Sequence, residues 1–299
     1  MPQALANPAT NKAILASVEP ARRAAVTGLK QSGVQLGAFA AGLPLTALAA
    51  WSGWRAAVWT AAGAAVVTAA WALRALPRTD GAGGTGGADG ADGAGAVRHQ
   101  RPGAPVAASL VPRGAIAWLA VFSLFLGCGI ASVNTYLALY GARRLDLSPA
   151  AAGALVAVLG VAGIAGRVGW SRAARPGRAE WLPAWLAAGS VGAALLLLAA
   201  AAAAPLVWPG AVAVGVFAVS ANAVSMVLVM QRAAPGRAGQ DSALVSAGFF
   251  AGFAVGPPLF GLLAAAGHYG AAWTVVAAEF AAACAVGLTW AVRERGGKR

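Results

Sequence analysis

The 299 residues are 59% apolar and only 10% charged, with a net charge of +13, whereas a soluble domain carries about 25% charged residues. That balance excludes a water-soluble globule. The runs 31–54, 56–73, 114–142, 147–166, 181–231 and 242–278 hold no Lys, Arg, Asp or Glu at all, and roughly 20 apolar residues in a helix suffice to cross a ~30 Å hydrocarbon core.

Residues 1–22 contain Asn7, Thr10, Asn11 and Lys12, too polar for a span, and show no basic start, apolar run and small-residue cleavage site of a signal peptide. Eight spans are then expected at 28–50, 55–74, 114–140, 149–168, 181–203, 209–231, 242–267 and 270–292. Two long uncharged regions are divided by turn formers: 181–231 at Pro205, Trp208, Pro209 and Gly210, and 242–292 at His268, Tyr269 and Gly270. The basic residues support this count. The odd-numbered connecting segments, termini included, carry four, five, four, two and four Lys or Arg, while the even-numbered ones carry one, two, none and none. Basic residues are retained on the cytoplasmic side, so both termini are expected there, in a plasma (inner) membrane protein in contact with the lipid bilayer.

Orientation in a membrane accounts for the +13, and nucleic-acid binding, which needs a basic face on a folded soluble module, is excluded. Cys128 and Cys284 lie in apolar runs without CxxC spacing and read as packing residues. His99 and His268 have no third ligand nearby, so no metal and no cofactor are expected. Between the second and third spans the stretch TDGAGGTGGADGADGAG at 79–95 reads as a disordered linker. The expected organisation is a two-helix piece at 1–76, a flexible linker at 77–113 and a six-helix bundle at 114–299, all-α throughout.

The first and seventh spans echo one another. Gly33, Gly37 and Ala41 recur every four residues before Pro44, as Gly248, Gly252 and Gly256 do before Pro257 and Pro258. Small residues at this spacing let helix backbones approach closely in lipid, and proline there permits a kink.

With this repeat and this order of spans, the chain resembles the major facilitator superfamily of secondary transporters. Three stretches carry the resemblance: ANPATNKAILASVEPARRAAVTGLKQSGVQLG at 6–37, GRVGWSRAARPGR at 166–178 and GFFAGFAVGPPLFG at 248–261. They look like the end of the family's helix four through the start of helix five, its helix eight–nine loop, and its helix eleven. The resemblance implies helices five to twelve plus the end of helix four, with helices one to three and most of four lacking. It further implies upstream in-frame codons for about three and a half more spans. One departure stands out: the aspartate expected in the helix eight–nine loop is replaced by Arg175, and no acid lies between Asp146 and Glu180. Because the resemblance places the absent helix two near helix eleven, the Gly248, Gly252 and Gly256 groove is expected to stand empty, predicting either self-association through 242–267 or rapid degradation.

Polar groups inside spans cost roughly 2.5–3.5 kcal/mol when charged and are candidates by default. Lys30 shares a face with Gly33 and Gly37; it either meets an anion in a cavity or snorkels to the surface. Gln31 lies in a neighbouring stripe that serves a solute or bonds another helix. Ser132, Thr135, Tyr136 and Tyr140 form one stripe with Asn134 on the far side, a cavity wall or an outer aromatic belt. Asn222, Ser225 and Met226 share a face of the span that resembles the cavity-lining tenth helix, and Asn222 is the leading candidate for a solute contact. Glu279 is either a proton-coupling carboxylate or a structural one paired with a Ser, Tyr or backbone group. The resemblance implies uptake or export of a small solute, not an enzyme; the rival is a non-transporting remnant, or a subunit whose missing helices come from a second chain.

Overall fold

The computed structural model describes residues 19, 26, 33, 37, 44–75, 114–173, 180–233 and 237–296. Among the described residues every regular element is a helix: α1 Pro44–Ala75, α2 Ala115–Arg144, α3 Pro149–Ala173, α4 Leu182–Ala199, α5 Ala204–Arg232, α6 Ala238–Ala265 and α7 Tyr269–Gly296. The chain divides into two compact units, Met1–Ala47 with Val111–Arg299, and Leu48–Leu110. The glycine-rich linker, most of the first expected span and the loop position Arg175 lie outside the described residues.

Six helices among the described residues, α2 to α7, are long and apolar enough to cross a membrane, so the protein is an all-α polytopic membrane protein. Gly53 leaves helical geometry (φ 82°, ψ 159°) at the turn expected between the first two spans; only glycine enters that region without strain. Along α1, Trp51, Trp54, Trp59 and Trp71 are exposed, while Thr60 and Thr68 return their hydroxyls to the carbonyls of Ala56 and Ala64.

Turn chemistry decides where the other helices stop. After α2, Asp146 takes a left-handed conformation (φ 53°) and the Leu147 N–H bonds the Gly141 carbonyl at 3.0 Å. Ser148 then caps α3, its Oγ accepting from the Ala151 N–H at 3.3 Å, and Pro149 opens the helix where its missing N–H costs nothing. Region 181–231 breaks at Ala200–Ala203, ahead of the expected Pro205–Gly210. Pro205 begins the 3-10 turn Ala204–Leu206 and Pro209 lies in the first turn of the α-helical segment Val207–Ala213; both suit a helix start rather than a break. The last turn lies one step earlier than expected as well. Gly267 (φ 79°) ends α6, with Gly267 N–H to Ala264 O at 3.0 Å and His268 N–H to Leu263 O at 2.9 Å, a Schellman closure that leaves Tyr269 and Gly270 to begin α7.

Within the bundle α2 packs chiefly on α6 and α7, α7 also on α4, and α3 on α5. The core holds Phe122, Leu126, Tyr140, Leu197, Phe260, Trp273 and Phe280. In lipid such packing contributes through dispersion and close fit rather than release of water. Glycines set the closest approaches. A Cβ on Gly248, Gly252 or Gly256 would run into the carbonyls of Ala120, Leu124 and Cys128 on α2, and one on Gly127 into Phe249 O on α6. The groove expected to stand empty is therefore filled by α2 of the same chain, which removes the reason for self-association through 242–267. Pro257 and Pro258 sit inside α6 without ending it. Gly33 and Gly37 are helical and exposed, with nothing within 4 Å of a built Cβ, and Pro44 opens α1 exposed.

Candidate functional site

Inside a lipid-bound bundle a hydroxyl has no water to turn to, so most bond back to their own helix. Thr135 Oγ1 donates to Ala131 O at 2.8 Å, Ser190 Oγ to Leu186 O at 2.7 Å and Ser225 Oγ to Ala221 O at 2.9 Å. Two sequence candidates, Thr135 and Ser225, thereby spend their only proton internally and keep acceptor capacity alone.

The expected stripe on α2 splits in three. Ser132 is buried and its Oγ has no protein partner. Thr135 is exposed beside Asn134, so Asn134 does not stand on a face of its own. Tyr136 is half-buried, stacked on Phe260 of α6 with centroids 4.6 Å apart. Tyr140 is neither cavity wall nor interfacial belt: it is fully buried, donates to Leu197 O at 3.1 Å and packs against Tyr269 and Trp273. Period-3.6 spacing placed these residues near one another but could not tell which flank a neighbouring helix would cover.

Asn222 behaves differently. It lies on α5, 8% exposed, and its Oδ1 has no hydrogen-bond partner. Ser225 and Met226, on the same face, are buried. Further buried polar atoms without a protein partner are Ser123 Oγ on α2, Ser246 Oγ on α6 and Glu279 Oε2 and Trp273 Nε1 on α7. Such atoms are rare in native interiors and ask for a bound polar group; here they occur on helices that pack on one another. Glu279 is half-buried, lies within electrostatic reach of Cys128 on α2, and its Oε2 has no hydrogen-bond partner. Cys128 and Cys284 are free thiols, and Cys284 donates weakly to Ala184 O at 3.5 Å. Among the described residues no group of three or more His, Cys, Asp or Glu could hold a metal ion. Lys30 and Gln31 lie outside the described residues.

Two features escaped the sequence reading. One is Arg167, counted there as a loop charge but 3% exposed, with Nε donating to Val219 O at 3.3 Å. Val219 closes a π-helical segment, Val214–Val219, that bulges toward α3; a Cβ on Gly215 would stand 2.6 Å from Leu159 O, and one on Gly166 2.8 Å from Val216 O. A π-turn disturbs the regular backbone ladder, and Arg167 bonds a carbonyl at its end. The flanking Gly166 and Gly169 were the available signal. The other is a charged lattice where α4 begins and α5 and α7 end. Arg232 bonds Glu180 at 2.7 Å and Glu294 at 2.9 Å and lies over the Trp290 ring. Glu294 also accepts from Trp290 Nε1 at 3.3 Å. Only nine acids occur in the chain, and the placement of Glu180 and Glu294 beside basic segments was the one hint.

No curated protein matches the sequence. The sequence profile of the Major Facilitator Superfamily matches residues 1–244, most of the chain, and members of that superfamily are transporters rather than enzymes. The chain belongs to the major facilitator superfamily.

Proposed function

We propose that the protein is a secondary active transporter that moves a small solute across the plasma membrane by alternating access. It has eight spans with both termini cytoplasmic, which puts the Arg232 lattice at the cytoplasmic end of the bundle. The observation that carries the reading is the unpartnered Asn222 Oδ1 inside a bundle of this superfamily. Asn222 binds the solute through its amide, Ser132 supplies a hydroxyl, and Tyr136, Thr135 and Ser225 shape the wall. Glu279 is the coupling carboxylate: a lone acid in a span with an unpartnered oxygen is suited to taking up and releasing a proton.

Uptake by proteoliposomes holding the full chain, screened over a solute panel with an imposed proton gradient, tests this. Solute accumulation lost in Asn222→Ala is the expected result. Glu279→Gln should abolish gradient-driven accumulation while leaving solute exchange. If the wild-type chain binds solute but moves none until helices from another chain are supplied, the two-chain reading replaces this one. If it neither binds nor moves any solute, the transport reading fails.

A further inference from the structure

At the end of the bundle that carries the Arg232 lattice, neighbouring residues turn opposite ways. Glu180 and Glu294 point inward and grip Arg232. Their sequence neighbours, Trp181 and Arg295, meet each other instead, with the Arg295 guanidinium 4.9 Å from the Trp181 ring centroid. Trp181, Leu182, Trp185 and Arg295 line a niche of about 300 Å³. Four observations describe its chemistry. Arg295 has no carboxylate partner among the described residues, since its acidic neighbour Glu294 is held by Arg232 and Trp290. Trp181 is buried and its indole N–H has no acceptor. The first turn of α4 opens at Trp181 without a side-chain cap, and the first N–H groups of a helix have no partner within it. Trp185, one turn further into the span, is 69% exposed, a level at which tryptophan marks the boundary between headgroups and acyl chains.

We infer that this niche binds the phosphodiester headgroup of an anionic phospholipid, with Arg295 holding the phosphate and one acyl chain lying along Leu182 and Trp185. Charge complementarity selects the headgroup. Free arginine at the membrane surface attracts anionic lipid, and a guanidinium bonds phosphate oxygens in a fork. The apolar half of the niche selects the lipid over a free phosphate, which would match Arg295 but leave Trp185 without a partner. Stacking on Trp181 fixes the guanidinium plane in advance, so little side-chain freedom is lost on binding. The site rests on the chain spanning a bilayer and not on transport of any solute.

Native mass spectrometry of the full chain in mild detergent, with phosphatidylglycerol or phosphatidylcholine added, reads the site. Wild type should retain one phosphatidylglycerol in preference to phosphatidylcholine. Arg295→Gln should reduce that retention about tenfold, the loss of one charge-assisted contact, and Arg295→Lys should keep part of it. Arg293→Gln should retain lipid as wild type does, because Arg293 lies over Trp118 instead. Trp185→Ala, at an exposed position that does not bear on folding, should also lose retention, which keeps the test open if Arg295→Gln misfolds. Equal retention of the two lipids, unchanged retention in Arg295→Gln or Trp185→Ala, or equal loss in Arg293→Gln would each overturn the site. Displacement of the lipid by millimolar inorganic phosphate would overturn its assignment to a lipid.

Discussion

Asn222 and Tyr140 looked alike in sequence, each a polar group in an apolar span, and the structure bonds the oxygen of one and leaves that of the other without a partner. Tyr140 donates to Leu197 O at 3.1 Å inside a ring cluster, so it holds α2 to α4. Tyr140→Phe should lower thermal stability in detergent by about 1 kcal/mol, the net value of one hydrogen bond, while uptake per folded molecule stays unchanged. Asn222 has an oxygen without a partner, so removing its amide leaves no protein group newly orphaned at that oxygen. Asn222→Ala should leave thermal stability near wild type and reduce solute uptake about five- to tenfold, the equivalent of one lost polar contact. Parallel melting and uptake measurements on the two variants check both; a fall in stability for Asn222→Ala with unchanged uptake would reverse the assignment. Thr135 and Ser225 illustrate a further limit of residue type alone, since a hydroxyl already donated to its own helix offers a solute only its lone pairs.

For the helices, the four-residue glycine spacing in α6 was legible and its partner was not. Spacing shows that some backbone comes close; it does not say which, and an internal neighbour, α2, takes the place expected for an external one. Gly252→Ala must push α6 off α2, because its Cβ would stand 2.6 Å from Cys128 N and 2.9 Å from Gly127 C. Overpacking of this kind costs about 1–3 kcal/mol. Gly192→Ala in α4, where a Cβ meets nothing within 4 Å, should be neutral or stabilising by up to about 1 kcal/mol, through helix propensity. Thermal melts of the two variants in the same detergent should therefore move apart; a Gly252→Ala protein as stable as wild type would mean that α2 and α6 do not cross in contact at Gly252. Turn positions show the same limit in milder form. Proline was read as a breaker at 205–209, yet a proline in the first turn begins a helix as readily as it ends one.

Across the whole molecule, Arg232 joins three helix ends through two carboxylates of unequal burial, Glu180 at 6% side-chain exposure and Glu294 at 24%. Arg232→Met removes a cation from the buried Glu180 and should destabilise the bundle by about 3 kcal/mol, the low end for breaking a buried pair. Glu294→Gln removes a more exposed partner and should cost less than 1 kcal/mol. Denaturation midpoints of the two variants test that order. Topology is a second prediction at this scale. Reporter fusions after Ala202, Ala233 and Gly267, all in turns between described helices, should report outside, inside and outside, following the basic asymmetry of the connecting segments. An inside report at Ala202 would break the span assignment.

By itself the sequence determined the membrane, the helical class, the family and the approximate position of each span from 114 onward. These depend on composition and on charge placement along the chain, and the bilayer reads both without regard to tertiary contacts. Tertiary structure alone decided that Gly248, Gly252 and Gly256 face α2, that Tyr140 is core, and that Arg232 closes one end of the bundle with acids 52 and 62 residues away. It also singled out Asn222 Oδ1 as an oxygen without a partner. The physical reason is the same in each case: apolar helices in lipid have no water to exclude, so what distinguishes one packing from another is close fit and hydrogen-bond satisfaction. Those are properties of pairs of surfaces, and a periodic pattern along one helix records only its own side of the pair.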